Sequence, residues 1–239
     1  MNGVVTCSFL GGLGNNLFTY CFARAHAERV GAEFQCDPWP GSKIFQLNDR
    51  PIANRPVARR DHESLRPDET DVDIRTYAQC QKCLIYTRKQ VKEWFKFQAW
   101  VDDAMAKRPE IMAPVMAHRR RSDYAGYGYV VVSPASYIKA WFENGFDDQI
   151  KAVADSNWPT KVDGLPDYVP DFYRMTKAKA LFRGNSTYSW WAGTLGDGEV
   201  FSPIVAGLEG GKEHDCEYVR GNWPKFADID GVTDLHLPE

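Results

Sequence analysis

The chain has 239 residues and a mass of 27.2 kDa, enough for one large domain or two small ones. A hydrophobic content of 44% is typical of a globular protein, and a formal net charge of -3 gives no electrostatic reason to expect nucleic acid as a partner. No run approaches the roughly 18 apolar residues that a transmembrane segment needs, and no signal-like pattern opens the chain. We therefore expect a soluble, cytoplasmic protein.

The N-terminal stretch predicts a strand, a helix and a second strand. Val4 to Leu10 forms the first strand, Leu17 to Val30 the helix, which Gly31 closes, and Ala32 to Cys36 the second strand. This β-α-β order indicates a parallel sheet covered by helices.

The turn after the first strand, GGLGNN, resembles a dinucleotide-binding fingerprint. Gly12 and Gly14 occupy the first two glycine positions, and Asp37 follows the second strand where a ribose-binding acid would lie. Leu17 holds the third glycine position, which weakens the match. Two interpretations stay open here, a tight strand-to-helix turn and the cofactor site of an NAD-dependent oxidoreductase.

The segment from Pro38 to Asp73 shows no periodicity and predicts irregular binding or solvated loops. A strand through Ala78 to Thr87 and an amphipathic helix from Lys89 to Lys107 are expected to follow. The prolines and arginines of the segment from Pro38 to Asp73 are Pro38, Pro40, Pro51, Pro56, Pro67, Arg50, Arg55, Arg59, Arg60 and Arg66.

The six cysteines are scattered, and only Cys80 and Cys83 form a C-x-x-C pair. A closed zinc site needs about four ligands, and no second pair or H-x3-H partner lies nearby in the sequence. We therefore expect reduced thiols and no metal.

A second alternation of strands and helices follows a predicted hinge at Pro109 to Pro114. It indicates an α/β protein of two Rossmann-like halves, 1–112 and 113–239. The predicted elements are a strand at Pro114 to Ala117, a helix at Ala135 to Asn144, a strand at Gln149 to Ala154, a helical turn at Asp171 to Thr176, and strands at Ala178 to Phe182 and Glu199 to Val205.

The stretch FRGNSTYSWWAGTL predicts a turn at Gly184 and Asn185 and a helix that starts near Ser186. A helix start has unpaired N–H groups and a positive dipole end, so hydroxyl side chains there either cap the helix or hold a phosphate. The helix spacing predicts a single buried face made of Tyr188, Trp191, Ala192 and Leu195.

Arg119, Arg120 and Arg121 follow a predicted parallel strand. Ligands of open α/β sheets bind at the carboxyl ends of strands, and guanidinium groups match phosphate oxygens in pairs. The cluster predicts a phosphate site; a surface ion-pair group with Asp123 is the alternative.

Three separated stretches resemble one family, the alpha-1,2-fucosyltransferases of glycosyltransferase family eleven. GGLGNNLFTYCFARAHA is similar to its G-G-L-G-N-Q-x-F-Q-Y-A-x-A-R-A motif, and AHRRRSDY to H-x-R-R-G-D-Y. DFYRM and GNSTYSWWAGTL resemble D-F-x-x-M and S-N-S-T-F-S-W-W-A-A-x-L, in the family's order. Ser122, Asn16 and Gly184 depart from the usual residues, which puts the donor sugar and the acceptor in question.

The resemblance implies a GT-B architecture, with two Rossmann-like domains facing across a cleft. It places the acceptor on the N-terminal domain and the nucleotide sugar on the C-terminal one. It further implies metal-independent, inverting transfer of L-fucose from GDP-fucose to a hydroxyl of a glycan, with no cofactor beyond the donor. A nicotinamide-dependent oxidoreductase and a non-catalytic sugar-nucleotide-binding homologue are the alternatives.

The resemblance also assigns roles to individual residues. Arg120 and Arg121 would contact the pyrophosphate, and Asp123 is the nearest candidate for the general base, with Asp37 behind it. The binding set comprises Gly12, Gly14, Asn15, His118, Asp171, Asn185, Ser186 and Thr187, of which Asp171 would face the guanosine and the last three would donate to the phosphates.

Overall fold

A computed structural model describes residues 3–120, 125–146, 152–155 and 158–222. The described chain divides into two compact units, 3–98 and 99–222. The predicted hinge at Pro109 to Pro114 lies inside the second unit and begins with a short 3-10 helix, Pro109–Ile111. Each unit has its own largely parallel sheet.

The first unit is a four-stranded parallel sheet in the order β2-β1-β4-β3. Val5 in the central strand pairs with Phe34 on one side and Val72 on the other. The predicted N-terminal β-α-β unit is confirmed. Its elements are β1 Val4–Cys7, α1 Leu13–Val30, β2 Glu33–Gln35, α2 Pro40–Ile44, β3 Ala58–Arg60 and β4 Val72–Ile74.

Two predictions for this unit are wrong. The segment we assigned to loops contains α2, β3 and β4, whose strands have three residues each and carry charged side chains, so they give no periodic signal. The predicted strand from Ala78 to Thr87 is instead a loop around a 3-10 helix, Gln81–Cys83. Its apolar side chains are buried against the unit without a partner strand.

The predicted helix from Lys89 to Lys107 is two helices, α3 Arg88–Trp94 and α4 Ala99–Ala106. Between them the backbone leaves the helical path because Gln98 N donates to Ile44 O at 2.8 Å and Phe97 forms an isolated bridge with Phe45. The apolar spacing that suggested one helix therefore belongs to two segments.

The second unit has a five-stranded sheet in the order β11-β9-β8-β5-β7, parallel except for β11, and a two-stranded pair, β10-β6. From β5 the chain passes to β7 on one side and later returns to β8 on the other, so the order reverses at β5. The elements are β5 Val115–Arg119, β6 Val131–Val132, α5 Pro134–Glu143, β7 Ala152–Asp155, α6 Val169–Lys177, β8 Ala180–Phe182, α7 Thr187–Leu195, β9 Glu199–Pro203, β10 Glu213–His214 and β11 Tyr218–Arg220.

An aromatic core holds this sheet against its helices. The rings of Phe182 and Phe201 stack on neighbouring strands with centroids 4.5 Å apart, and Trp141 of α5 stacks on Phe182 at 5.6 Å. Burying rings of this size contributes about 1.5 to 3 kcal/mol each to folding. The carboxyl end of β8, which lies next to this core, is therefore held in place.

The helix α7 begins where the sequence predicts but is not amphipathic. Trp190 and Trp191 are both almost fully buried, with centroids 5.0 Å apart in an edge-to-face arrangement, while Leu195 is only half-buried. The predicted single face was wrong because α7 is covered on nearly every side, so its burial has no helical period.

Among the helices in the described ranges, none is both long and apolar enough to cross a membrane.

Candidate active site

The carboxyl ends of β5 and β8 lie side by side in the second unit. Ala117 pairs with Phe182, so the residues that follow, His118 and Arg183, emerge together. Because the strand order reverses at β5, this edge is the point at which open α/β sheets bind their ligands. The geometry thus brings together two of the predicted motifs, the arginine run and the GNST turn.

His118 is buried at the end of β5, with 2% of its surface exposed. Its pKa is lowered to about 3, first by burial and then by the charges of Arg120 and Arg183. Its Nδ1 has no hydrogen-bond partner among the described residues. His118 is therefore a neutral ring at pH 7 within a positively charged surrounding.

Arg119 and Arg120 have different surroundings, as the alternation of side chains along a strand requires. Arg119 lies beside Asp155, its register partner on β7, with Nη1 3.7 Å from the carboxylate. Arg120 is half-buried, and its charge acts on His118 and Tyr188. Arg119 thus faces the neighbouring strand, and Arg120 lies near His118 and Tyr188.

Two of the predicted catalytic residues, Arg121 and Asp123, lie outside the described residues. Their roles stay predictions.

Gly184 explains how the two strand ends approach so closely. A Cβ at this position would lie 2.8 Å from the backbone oxygen of His118 and 3.3 Å from its Nδ1. The serine that the family pattern has here would therefore clash with β5. The departure in this chain fits a closer contact between the GNST turn and His118.

The start of α7 carries the three polar residues that the sequence singled out. Ser186 is the N-cap, and its Oγ accepts a hydrogen bond from Tyr188 N at 3.3 Å. Asn185 is buried, with Nδ2 3.5 Å from Val130 O, and Thr187 is half-buried in the first turn. The capping prediction is confirmed, and the helix start lies directly after β8, next to His118.

Tyr188 and Arg183 belong to this site, although the sequence did not indicate it. The Tyr188 ring lies 5.6 Å from that of His118 and 5.2 Å from that of Phe172 in α6. Arg183 is 1% exposed, and its Nε donates to Ser202 Oγ at 2.7 Å. The helix spacing predicts Tyr188 in a buried core face, and Arg183 follows an apolar strand with no pattern of its own. Tyr188 links β5, α6 and α7, and Arg183 adds a buried positive charge.

Asp171 lies in a buried ion pair in the first turn of α6. One of its oxygens is 2.7 Å from Arg174 Nη1, and the other accepts a hydrogen bond from Thr160 N at 3.1 Å. Arg174 in turn donates to Ile111 O at 2.7 Å. These contacts position α6, and the predicted role of Asp171 toward guanosine stays a prediction.

The glycine turn of the first unit is open at its surface. Gly12 is the N-cap of α1, and a Cβ there would meet no atom within 4 Å. Gly14 is buried in the first turn, and Asn15 accepts a hydrogen bond from Gln79 at 2.9 Å. This is the carboxyl end of β1, where the strand order of the first sheet reverses.

A buried acid lies beside this turn and was not predicted. Asp73 of β4 is fully buried and accepts hydrogen bonds from Thr6 and Ser8 at 2.8 Å each. Arg55 lies between it and Asp37, with 2.5 Å to Asp73 and 2.7 Å to Asp37. Asp37, our ribose-binding candidate, is thus held by an arginine.

No protein-family model and no curated protein matches the sequence. Solved structures do match. NodZ alpha-1,6-fucosyltransferase soaked with GDP-fucose aligns over 92% of this chain and 99% of its own, with a TM-score of 0.55 and 12% identity. This chain shares the fold of fucosyltransferases.

Two further solved structures of fucosyltransferases also match this chain. A mutant of Arabidopsis thaliana FUT1 in complex with GDP aligns over 91% of this chain and 74% of its own, with a TM-score of 0.52 and 9% identity. POFUT1 in complex with GDP-fucose aligns over 82% and 96%, with a TM-score of 0.52 and 10% identity. Identities this low establish the fold alone. The predicted α/β fold of the GT-B class is confirmed.

Proposed function

We propose that this protein transfers L-fucose from GDP-fucose to a hydroxyl group of a glycan, with inversion and in an alpha-1,2 linkage. The observation that carries the proposal is the edge formed by β5 and β8, where Arg120, Arg183 and the start of α7 surround the neutral ring of His118. The likeness of the fold to fucosyltransferases holding GDP-fucose or GDP supports it.

The electrostatics of this edge suit a diphosphate leaving group. As the bond between fucose and GDP breaks, negative charge grows on the diphosphate, and fixed donors stabilise it best when they are already in place. Arg120 supplies a planar pair of donors, and the first turn of α7 supplies backbone N–H groups and a positive dipole end. His118 adds no charge of its own because burial keeps it neutral.

The transfer requires one bond to form and one to break at the anomeric carbon. The acceptor oxygen attacks the face opposite the diphosphate, the bond to the diphosphate oxygen breaks, and the acceptor proton passes to a carboxylate. Asp123 is our first candidate for that carboxylate. Asp37 is the second, and its contact with Arg55 makes it the weaker one.

A thermal-shift titration tests the nucleotide preference. GDP should raise the melting temperature of the wild-type protein, and more strongly than NAD or UDP at equal concentration. Arg120→Ala should lose most of that shift, whereas Arg119→Ala, which removes a neighbouring arginine engaged with Asp155, should keep it. Stabilisation by NAD alone would instead support the oxidoreductase.

Transfer itself is tested by product analysis. Incubation with GDP-fucose and galactose-ended oligosaccharides should release GDP and give a fucosylated product whose linkage is assigned by NMR. Binding of GDP without transfer or donor hydrolysis on a wide acceptor panel would favour a non-catalytic sugar-nucleotide-binding protein. A product with another linkage would correct the alpha-1,2 assignment and leave fucosyl transfer intact.

A further inference from the structure

We propose that His62, Cys80 and Cys83 form a binding site for a zinc-type divalent cation in the first unit. The three side chains come from two stretches of chain, His62 from one and both cysteines from the 3-10 turn, and their possible ligand atoms all lie within 4.8 Å of one another. The sequence showed only the two cysteines. The fold adds the histidine, which turns a dithiol into a set of three convergent ligands.

The ligand chemistry indicates the class of ion. Two thiolates and one imidazole are soft or intermediate donors, which favour zinc or cobalt over magnesium or calcium. Three protein ligands leave a fourth tetrahedral position for water. Cys83 is 1% exposed, while Cys80 and His62 are half-buried, so an ion reaches the cluster from their side.

The distances between the ligand atoms require adjustments of about 1 Å, since the shortest is 2.9 Å and the others reach up to 4.8 Å. The two sulfur atoms lie 2.9 Å apart. Around one tetrahedral zinc, with bonds of about 2.0 Å to nitrogen and about 2.3 Å to sulfur, ligand atoms are roughly 3.3 to 3.8 Å apart. A movement of about 1 Å of the half-buried Cys80 side chain is enough to open the sulfur pair to that spacing.

The hydrogen bond of His62 is of the kind that metal-binding histidines make. Its Nδ1 lies 2.8 Å from Thr76 Oγ1, which fixes the ring and leaves Nε2 for a metal. Such histidines commonly have their second nitrogen held by an oxygen in this way. Thr76 Oγ1 is itself fixed, because it accepts a hydrogen bond from Ala78 N at 3.3 Å.

The backbone also brings the two cysteines together. The 3-10 turn closes with a hydrogen bond from Cys83 N to Cys80 O at 2.9 Å, which puts both sulfurs on one side. Just before it, Ala78 has a φ of 50°, a left-handed conformation that a side chain disfavours. Lys82 and Glu63, 3.9 Å apart, join the two segments at their exposed side.

An ion here would act first on the structure of the first unit. The same loop holds the start of α1: Gln79 donates to Asn15 at 2.9 Å, and Thr19 donates to Thr76 O at 2.6 Å. A bound cation would fix residues 76–83 against the glycine turn. The inference is independent of the proposed function, since metal content and stability report on it without any assay of transfer.

The test measures metal in the full-length protein, purified under reducing conditions without a polyhistidine tag. Apo-protein refilled with zinc and freed of excess ion should retain about one zinc per chain by elemental analysis. Refilling with cobalt should give the visible bands of a tetrahedral ion and a near-ultraviolet thiolate-to-cobalt band. Zinc should also raise the apparent melting temperature by several degrees.

Variants of the cluster and a matched control identify the ligands. Cys80→Ser and His62→Ala should lose most of the bound zinc, and any cobalt that Cys80→Ser still binds should show about half of the thiolate-to-cobalt absorbance per ion. Cys36→Ser is the control: it changes one member of another buried thiol pair in the same unit, 3.9 Å from Cys7, and should keep the zinc. If the cluster variants do not fold, the cobalt spectrum of wild-type protein still counts the thiolates.

Three results would overturn the proposal. They are no zinc uptake by the reduced wild-type protein, equal zinc in wild type and Cys80→Ser, and a cobalt spectrum without a thiolate band.

Discussion

Arg119 and Arg120 are neighbours in the sequence with different contacts, and we expect different consequences when they are changed. Arg120→Ala should lower kcat roughly 100- to 1000-fold, since it removes a fixed donor at developing charge. Arg120→Lys should be nearly as poor, because an ammonium keeps the charge and loses the two-point geometry. Arg119→Ala should leave kcat near normal, as its side chain lies beside Asp155.

The measurement is kcat and GDP affinity for the three variants, in protein with a wild-type circular dichroism spectrum. Arg119→Ala also costs at most about 1 kcal/mol of stability, because its partly exposed ion pair is weak. A collapse of turnover in Arg119→Ala with near-normal Arg120→Ala would show that the motif is assigned one residue out of register.

The second expectation concerns the pH dependence of stability and rests on His118. Its pKa is about 3 in the folded protein against 6.5 ordinarily, chiefly because of burial. Between these values the unfolded chain binds a proton that the folded chain excludes, so the free energy of unfolding falls as the pH drops from about 6.5 toward 3. His118→Asn should make that fall shallower.

Urea unfolding from about pH 7 to about pH 4 measures this slope in wild type and in His118→Asn. His214→Asn, a change at a half-buried histidine on β10, is the control and should keep the wild-type slope. Identical slopes in wild type and His118→Asn would mean that His118 takes up its proton in the folded protein as it does in the unfolded one.

The helix α7 combines a polar start with a body that packs into the core, and substitutions should separate the two. Ser186→Ala removes the cap, which costs about 1 kcal/mol, and should weaken GDP binding. Trp191→Ala leaves a cavity where a side chain is completely buried, and should cost about 3 to 5 kcal/mol.

Chemical unfolding and GDP titration of both variants check this division. The outcome against it is Trp191→Ala with an unchanged unfolding midpoint, or Ser186→Ala with normal GDP affinity.

The sequence predicted the end of a helix correctly where the residues that end it lie next to that helix in the chain. Gly31 has a φ of 67° and donates to the last carbonyls of α1, so the end of that helix is visible in the sequence. The start of α7 is visible for the same kind of reason, a serine N-cap after a glycine turn. By contrast, the break between α3 and α4 depends on Ile44, which is remote in sequence.

The two units differ in what metal ions should do to the protein. Fucosyl transfer is expected to persist in excess EDTA, because in the proposed mechanism Arg120 and the start of α7 stabilise the charge that grows on the diphosphate. Asp71, Val72 and Asp73 form a D-x-D sequence, a pattern that could hold a cation, but both acids have other partners. Asp71 accepts a hydrogen bond from Val4 N, and Asp73 is ion-paired with Arg55.

Initial rates after brief EDTA treatment, well below the melting temperature, are the measurement. Cys80→Ser is a useful second sample, since zinc at the cluster in the first unit should affect stability and leave kcat unchanged. Loss of transfer in EDTA that magnesium or manganese restores would contradict metal independence. Restoration by zinc alone would instead show that the cluster contributes to activity and not only to stability.

The sequence was enough to predict an α/β chain of two Rossmann-like halves, the polar start of α7 and the arginine run after β5. Each has a local physical cause, namely periodicity, capping or charge next to an apolar strand. These features, with the motif resemblance, also pointed to the fucosyltransferase fold that the solved structures confirm.

Tertiary structure decided which of these residues meet. Strand order placed His118 beside Gly184 and Arg183, and burial there lowers the pKa of a histidine that would otherwise titrate near neutrality. In the first unit, the fold brought His62 to the two cysteines. Both groupings join residues far apart along the chain, where propensity and spacing carry no information about contact, because strand pairing and packing alone determine which side chains become neighbours.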